Sequence, residues 1–177
     1  KLINELYERF FKNAFPLTTQ KLGIVYTPIE IVDFMISSTQ YLLDVEFNKK
    51  LSDKKVSILD PFTGTGTFIN RLLSSEIFNP TQLKYKYENE IHANEIILLA
   101  YYIATINIES TYHSIIKSNQ YQPFNGSVLT DTFQLYEQER DLIADLLPDN
   151  SKKRTRQKKS PIKIIISNPP YSIGQKS

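Results

Sequence analysis

The chain is organised around the stretch Ile162-Lys163-Ile164-Ile165-Ile166-Ser167-Asn168-Pro169-Pro170-Tyr171. Its first half, Ile162 to Ile166, is β-branched and almost wholly apolar, which predicts a strand buried on both faces in the middle of a parallel sheet. The strand ends before the two prolines, because proline has no N–H for the ladder and holds the preceding residue extended. Asn168 and Tyr171 are therefore predicted just past the carboxyl end of a strand, where open α/β sheets bind their ligands.

The ending Asn168-Pro169-Pro170-Tyr171 suits methyl transfer to an exocyclic amine. The lone pair of such a nitrogen is delocalised into its ring, and acceptors on its two protons would localise that lone pair for attack. We expect these acceptors to be the Asn168 side-chain oxygen and the Pro169 backbone carbonyl. Tyr171 would supply a flat face on which an extruded base stacks. The alternative interpretation is a strand that ends in a proline turn, with Tyr171 as a packing residue.

The composition fits one globular domain with a real core, at 177 residues with 41% hydrophobic and 12% aromatic residues. Cysteine is absent and the two histidines are far apart, so we expect no disulfide framework and no metal site. No signal peptide and no apolar run long enough to span a bilayer is visible, so we expect no membrane partner and a cytoplasmic, bacterial-type location. The chain begins with Lys1 and its only methionine is Met35, so we expect a piece of something longer.

The charge is unevenly spread along the chain. Six of the 21 basic residues lie between Lys152 and Lys159, and without them 15 basic residues stand against 19 acidic ones. The bulk of the chain is therefore not a basic clamp for nucleic acid. We expect the basic run to form a solvated, mobile loop at the amino edge of the sheet, away from the predicted site.

Two helices are predicted at the start of the chain. Apolar residues at three- and four-residue spacing between Leu2 and Ala14 predict an amphipathic helix, within an N-terminal helical segment of residues 1–23. In the next helix Thr27 would cap, Pro28 would take the first helical position and Glu30 would complete a capping box. We expect that helix to run to about Leu43, with these residues inward: Val32, Met35, Ile36, Leu42 and Leu43. Such a start is either an ordinary cap or a helix N-terminus whose free N–H groups attract a carboxylate.

A glycine-rich turn, Asp60-Pro61-Phe62-Thr63-Gly64-Thr65-Gly66, follows the predicted strand Val56–Leu59 and precedes a helix through Leu73. This order is the nucleotide-side turn of a doubly wound sheet. A Walker loop is excluded because no lysine follows, and a dinucleotide fingerprint because Ile69 stands where a small residue is needed. An acid that ends the strand favours a ligand with an ammonium group over a pyrophosphate. The alternative is a turn that Asp60 simply caps.

Two further strands are predicted, each with an acid near its end. Glu90 to Glu95 reads as a strand that enters a helix through Ile106, and Glu95 stands where a carboxylate meets ribose hydroxyls, with Glu90 as the rival choice. Val128 and Leu129 form a third strand, with Asp131 just past its end, where a solvated loop acid or a helix cap is an equally good interpretation. The polar stretch 78–89 carries no clear prediction.

In this order, the motifs resemble those of the amino-methyltransferases that use S-adenosylmethionine: Tyr26-Thr27-Pro28, Asp60-Pro61-Phe62-Thr63-Gly64-Thr65-Gly66, Glu95, Asp131 and Asn168-Pro169-Pro170-Tyr171. More narrowly, they resemble the DNA N6-adenine methyltransferases in which the cofactor motifs precede the catalytic one. The surroundings, with His92-Ala93-Asn94-Glu95-Ile96 and Asn107-Ile108-Glu109, resemble the methyltransferase part of large single-chain restriction-modification enzymes. Those enzymes also carry a nuclease and an ATP-dependent translocase. The resemblance implies a Rossmann-like α/β fold and DNA as the partner of the full-length parent.

The resemblance also implies a role for each matched residue. Thr27 and Pro28, in the segment that Tyr26 opens, would lie at the methionine carboxylate of the cofactor. Asp60 and the backbone of Gly64 and Gly66 would hold its amino end, in the loop that also contains Pro61, Phe62 and Thr63. Glu95 would take the ribose hydroxyls and Asp131 the adenine amine. The target base would be held by Asn168, Pro169, Pro170 and Tyr171.

The chain departs from the family's pattern at its end. The family's sheet continues for three further strands and a target-recognition domain, whereas six residues follow Tyr171. We therefore expect residues 24–177 to be the cofactor-binding and catalytic half of a methyltransferase domain, inactive alone. The alternatives are a methyltransferase for RNA bases or for a protein glutamine amide, and a non-catalytic scaffold module. The Tyr-Thr-Pro segment upstream favours the DNA enzymes.

Overall fold

The computed structural model describes residues 27–118, 120–135 and 148–170. Helices and strands alternate within these residues, which confirms the predicted α/β class. In chain order the elements are α1 Ile29–Phe47, β1 Ser57–Asp60, α2 Thr67–Leu73, α3 Pro80–Asn89, β2 Ile91–Glu95, α4 Leu98–Ile116, β3 Ser127–Leu129, α5 Pro148–Lys159 and β4 Ile162–Ile165. The helix predicted between Leu2 and Ala14, the segment 1–23, Tyr26 and Tyr171 lie outside the described residues.

The four strands form a parallel sheet in the order β3-β2-β1-β4. The chain lays β1, β2 and β3 side by side in one direction and then returns to place β4 against the other side of β1. In the register, Ile58 lies opposite Ile91, and Leu59 lies opposite Ile165. The carboxyl ends of β1 and β4 therefore flank the point where the strand order reverses. Doubly wound sheets bind their ligands at this switch point.

The main hydrophobic core lies on the face of the sheet that packs against α1, α2 and α4. Ile58, Ile91 and Ala93 contribute from alternate positions of β1 and β2, as the two-residue repeat of a strand requires. The helices contribute Val32 and Ile36 from α1, Ile69 and Leu72 from α2, and Ala104, Ile108 and Tyr112 from α4. Asp60 follows Ile58 by two positions, so its side chain lies on the same, buried face. This placement removes its carboxyl group from water.

The opposite face of the sheet carries α5. The Asn94 side chain, one position after Ala93, accepts a hydrogen bond from Gln157 Nε2 of α5 at 2.8 Å, and both side chains are buried. Asn150, at the start of α5, pairs with both the N–H and the C=O of Leu129 at the end of β3. Helices therefore cover both faces of the sheet, as in doubly wound folds.

The strand β4 lies at the edge of the sheet among the described residues, so the prediction of a strand buried on both faces is wrong. Ile165 is 68% exposed and Ile162 and Ile164 are only partly buried, whereas Ile166 is buried. Ile165 and Leu59 line an open apolar hollow of about 300 Å³ next to α5. An apolar run predicts a strand, but the neighbours that would cover it depend on the order of the strands in the sheet.

The start of α1 differs from the prediction, since no side chain caps this helix and Pro28 is the residue before its first turn. The predicted capping box is wrong because the Thr27 hydroxyl pairs instead with the Asn168 side chain. The helix runs to Phe47 and ends at Asn48 in the left-handed conformation. Its inward residues are as predicted for Val32, Met35, Ile36 and Leu43, whereas Leu42 is 53% exposed.

The helix α3 occupies the stretch for which the sequence carries no clear prediction. It begins with a capping box, in which the Asn79 side chain accepts from the Gln82 N–H at 2.9 Å and the Gln82 side chain accepts from the Asn79 N–H at 3.0 Å. Pro80 takes the first helical position. This Asn-Pro-x-Gln pattern is a recognisable helix start and could have predicted α3. The Tyr87 ring joins α3 to the core by stacking on Tyr112, with 3.7 Å between ring centroids.

The basic run Lys152–Lys159 is helical, so the prediction of a mobile loop is wrong. Arg154 donates to the Leu135 carbonyl at 3.1 Å, and Arg156 donates to the Glu88 carbonyl. Long basic side chains can lie along a protein surface while their charged ends reach such acceptors. The pattern of charges does not reveal these acceptors, because Leu135 lies in the turn after β3 and Glu88 lies in α3, both distant in sequence from the basic run.

Candidate functional site

Asp60 is the buried acid at the switch point, with 0% of its surface exposed. Its Oδ1 accepts hydrogen bonds from the Ser167 hydroxyl at 2.6 Å and from the Phe62 N–H at 3.2 Å. Its Oδ2 is buried and has no partner among the described residues. Burial raises the pKa of this carboxyl to about 7, although the hydrogen bonds from Ser167 and Phe62 act to lower it. A buried carboxyl group with one unpaired oxygen fits a ligand that carries an ammonium group.

The glycine-rich turn after Asp60 is held by its own backbone and by β2. The Thr63 N–H donates to the Asn94 carbonyl at 2.9 Å, and the Thr63 hydroxyl donates to the Asp60 carbonyl at 2.9 Å. Gly64 and Gly66 have φ of +56° and +88°, which glycine adopts without steric cost. A Cβ at Gly66 would lie 3.4 Å from the Ala104 backbone, so α4 packs closely against the turn. The turn is therefore packed closely against β2 and α4 beside the carboxyl end of β1.

Glu95 lies at the carboxyl edge of the sheet and braces the same turn. Its Oε2 accepts from the Gly64 N–H and its Oε1 from the Ile97 N–H, each at 2.8 Å. Burial raises the pKa of the carboxyl group, while these two backbone donors favour the charged form and lower it. Glu95 therefore faces the turn from the neighbouring strand, in the position that the sequence predicted.

Glu90, the rival choice, lies at the opposite edge of the sheet. Its Oε2 pairs with Lys86 Nζ at 2.7 Å, and its Oε1 accepts from the Lys55 N–H at 2.6 Å. Lys86 also donates to two backbone carbonyls, and its side chain is fully buried. Glu90 is thus one half of a buried ion pair beneath the amino end of β2. It cannot reach a ligand at the carboxyl edge.

Asp131 lies just past β3, and its Oδ1 accepts from the Phe133 N–H at 2.9 Å. This bond caps the short turn that follows, which fits the alternative interpretation of Asp131 as a cap and does not test its assignment to the adenine amine. The neighbouring Thr132 hydroxyl donates to the Pro61 carbonyl at 2.7 Å, and it accepts from the Asn94 side chain at 3.2 Å. These bonds tie the loop after β3 to the loop after β1. The Asp131 loop therefore lies beside the Asp60 loop and Glu95 at the carboxyl edge of the sheet.

Two aromatic rings lie on these loops. The rings of Phe62 and Phe133 are tilted by 40° with 5.5 Å between their centroids, and Phe133 is 76% exposed. A large apolar ring that is left this open next to polar loops offers a surface for a flat ligand. The sequence placed Phe62 in the candidate site but did not single out Phe133.

Asn168 is half-buried past the end of β4, and its Nδ2 donates to the Thr27 hydroxyl oxygen at 3.1 Å. The structure thus brings the Thr27-Pro28 segment and the proline-rich motif together, as a common site requires. Pro169 and Pro170 follow Asn168 and are exposed. With Nδ2 turned toward Thr27, the Oδ1 of the amide is its remaining polar group and can accept from a ligand.

Sequence reasoning missed several residues that hold the site together. Ser167 bonds Asp60, and Thr132 and Gln157 both bond Asn94. Ser167 lies between the predicted strand Ile162–Ile166 and Asn168, and its position at a strand end was a usable signal. The others gave no signal, because their partners belong to elements that only the fold brings near.

No group of three or more histidine, cysteine or acidic side chains among the described residues is arranged to hold a metal ion. Nor does any helix in the described part of the chain combine the length and the apolar character needed to cross a membrane. The polar groups that the structure places at the carboxyl edge are carboxylates, an amide, hydroxyls and backbone groups. Among them, Asp60 has a buried oxygen without a hydrogen-bond partner in the described part of the chain.

Comparison with known proteins gives a family and several solved structures. A sequence model of the family described as N-6 DNA Methylase matches residues 1–177. No curated protein sequence matches the chain. A DrdV–DNA complex solved by cryo-EM is 43% identical over 97% of this chain, with a TM-score of 0.88.

Two further solved structures are Type ISP restriction-modification enzymes. A nuclease-deletion mutant of LlaGI, in complex with a DNA substrate mimic, is 47% identical over 98% of this chain, with a TM-score of 0.85. The ATP-dependent enzyme LlaBIII bound to DNA is 49% identical over 99% of this chain, with a TM-score of 0.86. The chain spans only 16%, 14% and 12% of the DrdV, LlaGI and LlaBIII chains, respectively.

Proposed function

Because the chain belongs to the N-6 DNA methylase family, as its motifs predicted, we propose that it serves methyl transfer from S-adenosylmethionine to the N6 amine of adenine in DNA. One observation carries the proposal. Asp60, whose Oδ2 has no hydrogen-bond partner among the residues described, and Asn168, whose Nδ2 is turned toward Thr27, flank the same switch point. A methyl donor and a methyl acceptor held by these two groups would meet at the carboxyl edge of the sheet.

The residues at this edge match the parts of the cofactor. S-Adenosylmethionine, when bound, supplies a methyl group on a positively charged sulfur. We assign Asp60 Oδ2 to the ammonium group of its methionine moiety, and the start of α1, at Thr27 and Pro28, to the carboxylate. Tyr26, which precedes them, belongs to the same assignment.

The nucleoside part of the cofactor is assigned to the ends of β2 and β3. Each Glu95 oxygen already accepts one backbone N–H and retains a lone pair for a ribose hydroxyl. Asp131 would accept from the adenine amine, with Phe62 and Phe133 as the apolar surface beside the ring. The turn Asp60–Gly66, including Pro61, Thr63 and Gly64, would lie beneath the cofactor, between its methionine part and its nucleoside part.

The target adenine is assigned to the motif after β4. Asn168 Oδ1 and the Pro169 carbonyl would each accept a hydrogen bond from one N–H of the N6 amine and so localise its lone pair on nitrogen. Neither group needs to be a strong base, because the positive charge that develops on the amine is held by dipoles already in place. Pro170 stiffens the turn, and Tyr171 would stack on the extruded base.

We propose that the chain is the methyltransferase segment of a longer restriction-modification enzyme. Its coverage of 12–16% of the three DNA-bound structures supports this proposal. The remaining strands of the sheet, target recognition, a nuclease and a translocase would then belong to other parts of that enzyme. We further propose a cytoplasmic location, where DNA would be available as the substrate.

The experiment is methylation by the full-length enzyme with S-adenosylmethionine that carries a labelled methyl group. Duplex DNA, RNA of the same sequence and glutamine-containing peptides are offered in parallel, and the products are identified by mass spectrometry. The proposal expects N6-methyladenine in DNA alone. Label in RNA or in a glutamine amide would favour those methyltransferases, and no label in any acceptor would favour a scaffold.

A further inference from the structure

We propose that Ser167 is a positioning residue that couples occupation of the Asp60 carboxyl group by a cation to the placement of Asn168. The inference rests on the proposed function, in which the cation is the ammonium group of the cofactor. It goes beyond that function because it assigns a task to a residue that contacts neither the cofactor nor the target base. Ser167 would hold Asn168, the acceptor for the adenine amine, most firmly when S-adenosylmethionine is bound.

The hydrogen bond between Ser167 and Asp60 lies directly beyond the end of the strand ladder. The last backbone bond between β4 and β1 joins the Ile166 N–H to the Leu59 carbonyl at 3.1 Å. One residue further on in each strand, the Ser167 hydroxyl donates to Asp60 Oδ1 at 2.6 Å. This side-chain bond extends the pairing of the two strands to the residue next to Asn168. The position of Asn168 therefore depends on how firmly Asp60 holds Ser167.

The strength of that bond depends on the charge of the Asp60 carboxyl group. A hydroxyl bonds a carboxylate more strongly than it bonds a neutral carboxyl group. Because the pKa of Asp60 is about 7, the two forms coexist near neutral pH when no cation is bound. A cation at Oδ2 would fix the charged form and so strengthen the bond at Oδ1.

The charges around Asp60 fit this dependence. Glu95, from the end of β2, faces Asp60 and its negative charge raises the Asp60 pKa further. Arg71 of α2 and Asp33 of α1 form an ion pair with each other at 2.6 Å. The Ser167 hydrogen bond therefore favours the charged form of Asp60, whereas burial and the charge of Glu95 disfavour it. An ammonium group would also favour the charged form.

Asn168 is held by two neighbours, and Ser167 provides one of them. Its own side chain bonds Thr27, while the residue before it bonds Asp60. Loss of the Ser167 bond leaves Asn168 attached on one side only. Since small displacements of a group that positions a substrate have large effects on rate, methyl transfer is expected to slow even when the cofactor is bound.

The test compares wild-type full-length enzyme with three variants, Ser167→Ala, Ser167→Cys and Ser167→Thr. Titration calorimetry with S-adenosylmethionine between pH 5.5 and 8.5 gives the midpoint at which affinity rises as Asp60 ionises. Without the Ser167 donor, that midpoint is expected to move up by roughly 1 pH unit, the worth of one hydrogen bond to a charged group. Single-turnover methylation at saturating cofactor is expected to fall roughly tenfold.

The variants separate the hydrogen bond from packing. Ser167→Cys keeps the size of the side chain but donates weakly, so it should resemble Ser167→Ala, whereas Ser167→Thr should restore both the midpoint and the rate. In an Asp60→Asn background, which is expected to bind no cofactor, Ser167→Ala should not change the pH dependence of the melting temperature, because the titrating partner is gone.

The possible results distinguish this inference from the proposed function. Wild-type enzyme that binds no S-adenosylmethionine at any pH overturns both. Wild-type enzyme that binds it, together with Ser167→Ala and Ser167→Cys variants that retain the wild-type midpoint, overturns the role of Ser167 alone. A raised midpoint and a slower transfer in both variants, with recovery in Ser167→Thr, support it.

Discussion

The side chains of Thr27 and Asn168 are joined by a hydrogen bond of 3.1 Å across 141 residues of sequence. This bond fixes the start of α1 against the end of β4. It also turns the Asn168 amide so that Nδ2 faces Thr27, and Oδ1 remains for the amine of the target base. Thr27, which the sequence predicted as a helix cap, is therefore a partner of the proposed catalytic asparagine.

Thr27→Val should slow methyl transfer by about tenfold at saturating cofactor, because the Asn168 amide loses the acceptor that orients it. Thr27→Ser retains the hydroxyl and should keep most of the activity. Single-turnover rates of the two full-length variants measure the difference. Equal rates for Thr27→Val and the wild type would show that this bond does not orient Asn168.

Asp60→Asn should abolish measurable binding of S-adenosylmethionine and yet stabilise the free protein at alkaline pH. The folded state raises the pKa of Asp60 from 3.8 to about 7, so the folded protein binds this proton more tightly than the unfolded chain does. Its stability therefore falls as pH rises through that interval, by up to about 4 kcal/mol at about 1.36 kcal/mol per pKa unit.

An asparagine at this position carries no charge and escapes that penalty. The gain in melting temperature of Asp60→Asn over the wild type, measured without cofactor, should therefore be large at pH 8 and shrink toward pH 4. A gain that is the same at both pH values would mean that the Asp60 carboxyl group does not carry the raised pKa.

Glu95→Gln and Glu90→Gln should fail in different ways, although both acids lie on β2 or at its start. Glu95→Gln should weaken cofactor binding, since a neutral amide accepts ribose hydroxyls less strongly than a carboxylate. Glu90→Gln leaves the Lys86 ammonium buried without its counter-ion and should cost about 3–5 kcal/mol of folding free energy. Calorimetry for binding and urea unfolding for stability distinguish them, and the reverse pattern would exchange their assignments.

Gln157→Ala should destabilise the protein by about 1–3 kcal/mol, because it leaves the buried Asn94 side chain without its donor. Lys159→Ala, two residues away on the exposed side of α5, should change stability by less than about 0.5 kcal/mol. Urea unfolding of both variants provides the comparison. If the two substitutions cost the same, α5 does not hold the sheet through Gln157.

The sequence predicted well those features that depend on the ends of parallel strands. Asp60, Glu95 and Asp131 each end or follow a predicted strand, and the carboxyl ends of parallel strands meet at one edge of the sheet whatever the loop lengths between them. Their convergence follows from the direction of the strands. The same reasoning placed the Asn168 motif beside them.

The features that sequence reasoning missed depend on which elements become neighbours. The apolar run before Ser167 gave no sign that β4 would lie at an edge, since burial is decided by strand order. The basic residues of α5 gave no sign that Gln157 is buried, because its burial depends on contact with Asn94 on the face of the sheet that α5 covers. Thr27 fitted a local capping box, but a partner distant in sequence took its hydroxyl.

Asn168→Ala in the full-length enzyme tests whether Asn168 accepts a hydrogen bond from the adenine amine during methyl transfer. Single-turnover transfer of labelled methyl to duplex DNA should fall by about a hundredfold or more, the usual loss when one preorganised polar contact is removed. Binding of S-adenosylmethionine, measured by calorimetry on the same preparation, should remain close to the wild-type value. Transfer to adenine N6 at the wild-type rate by Asn168→Ala would show that Asn168 has no catalytic role.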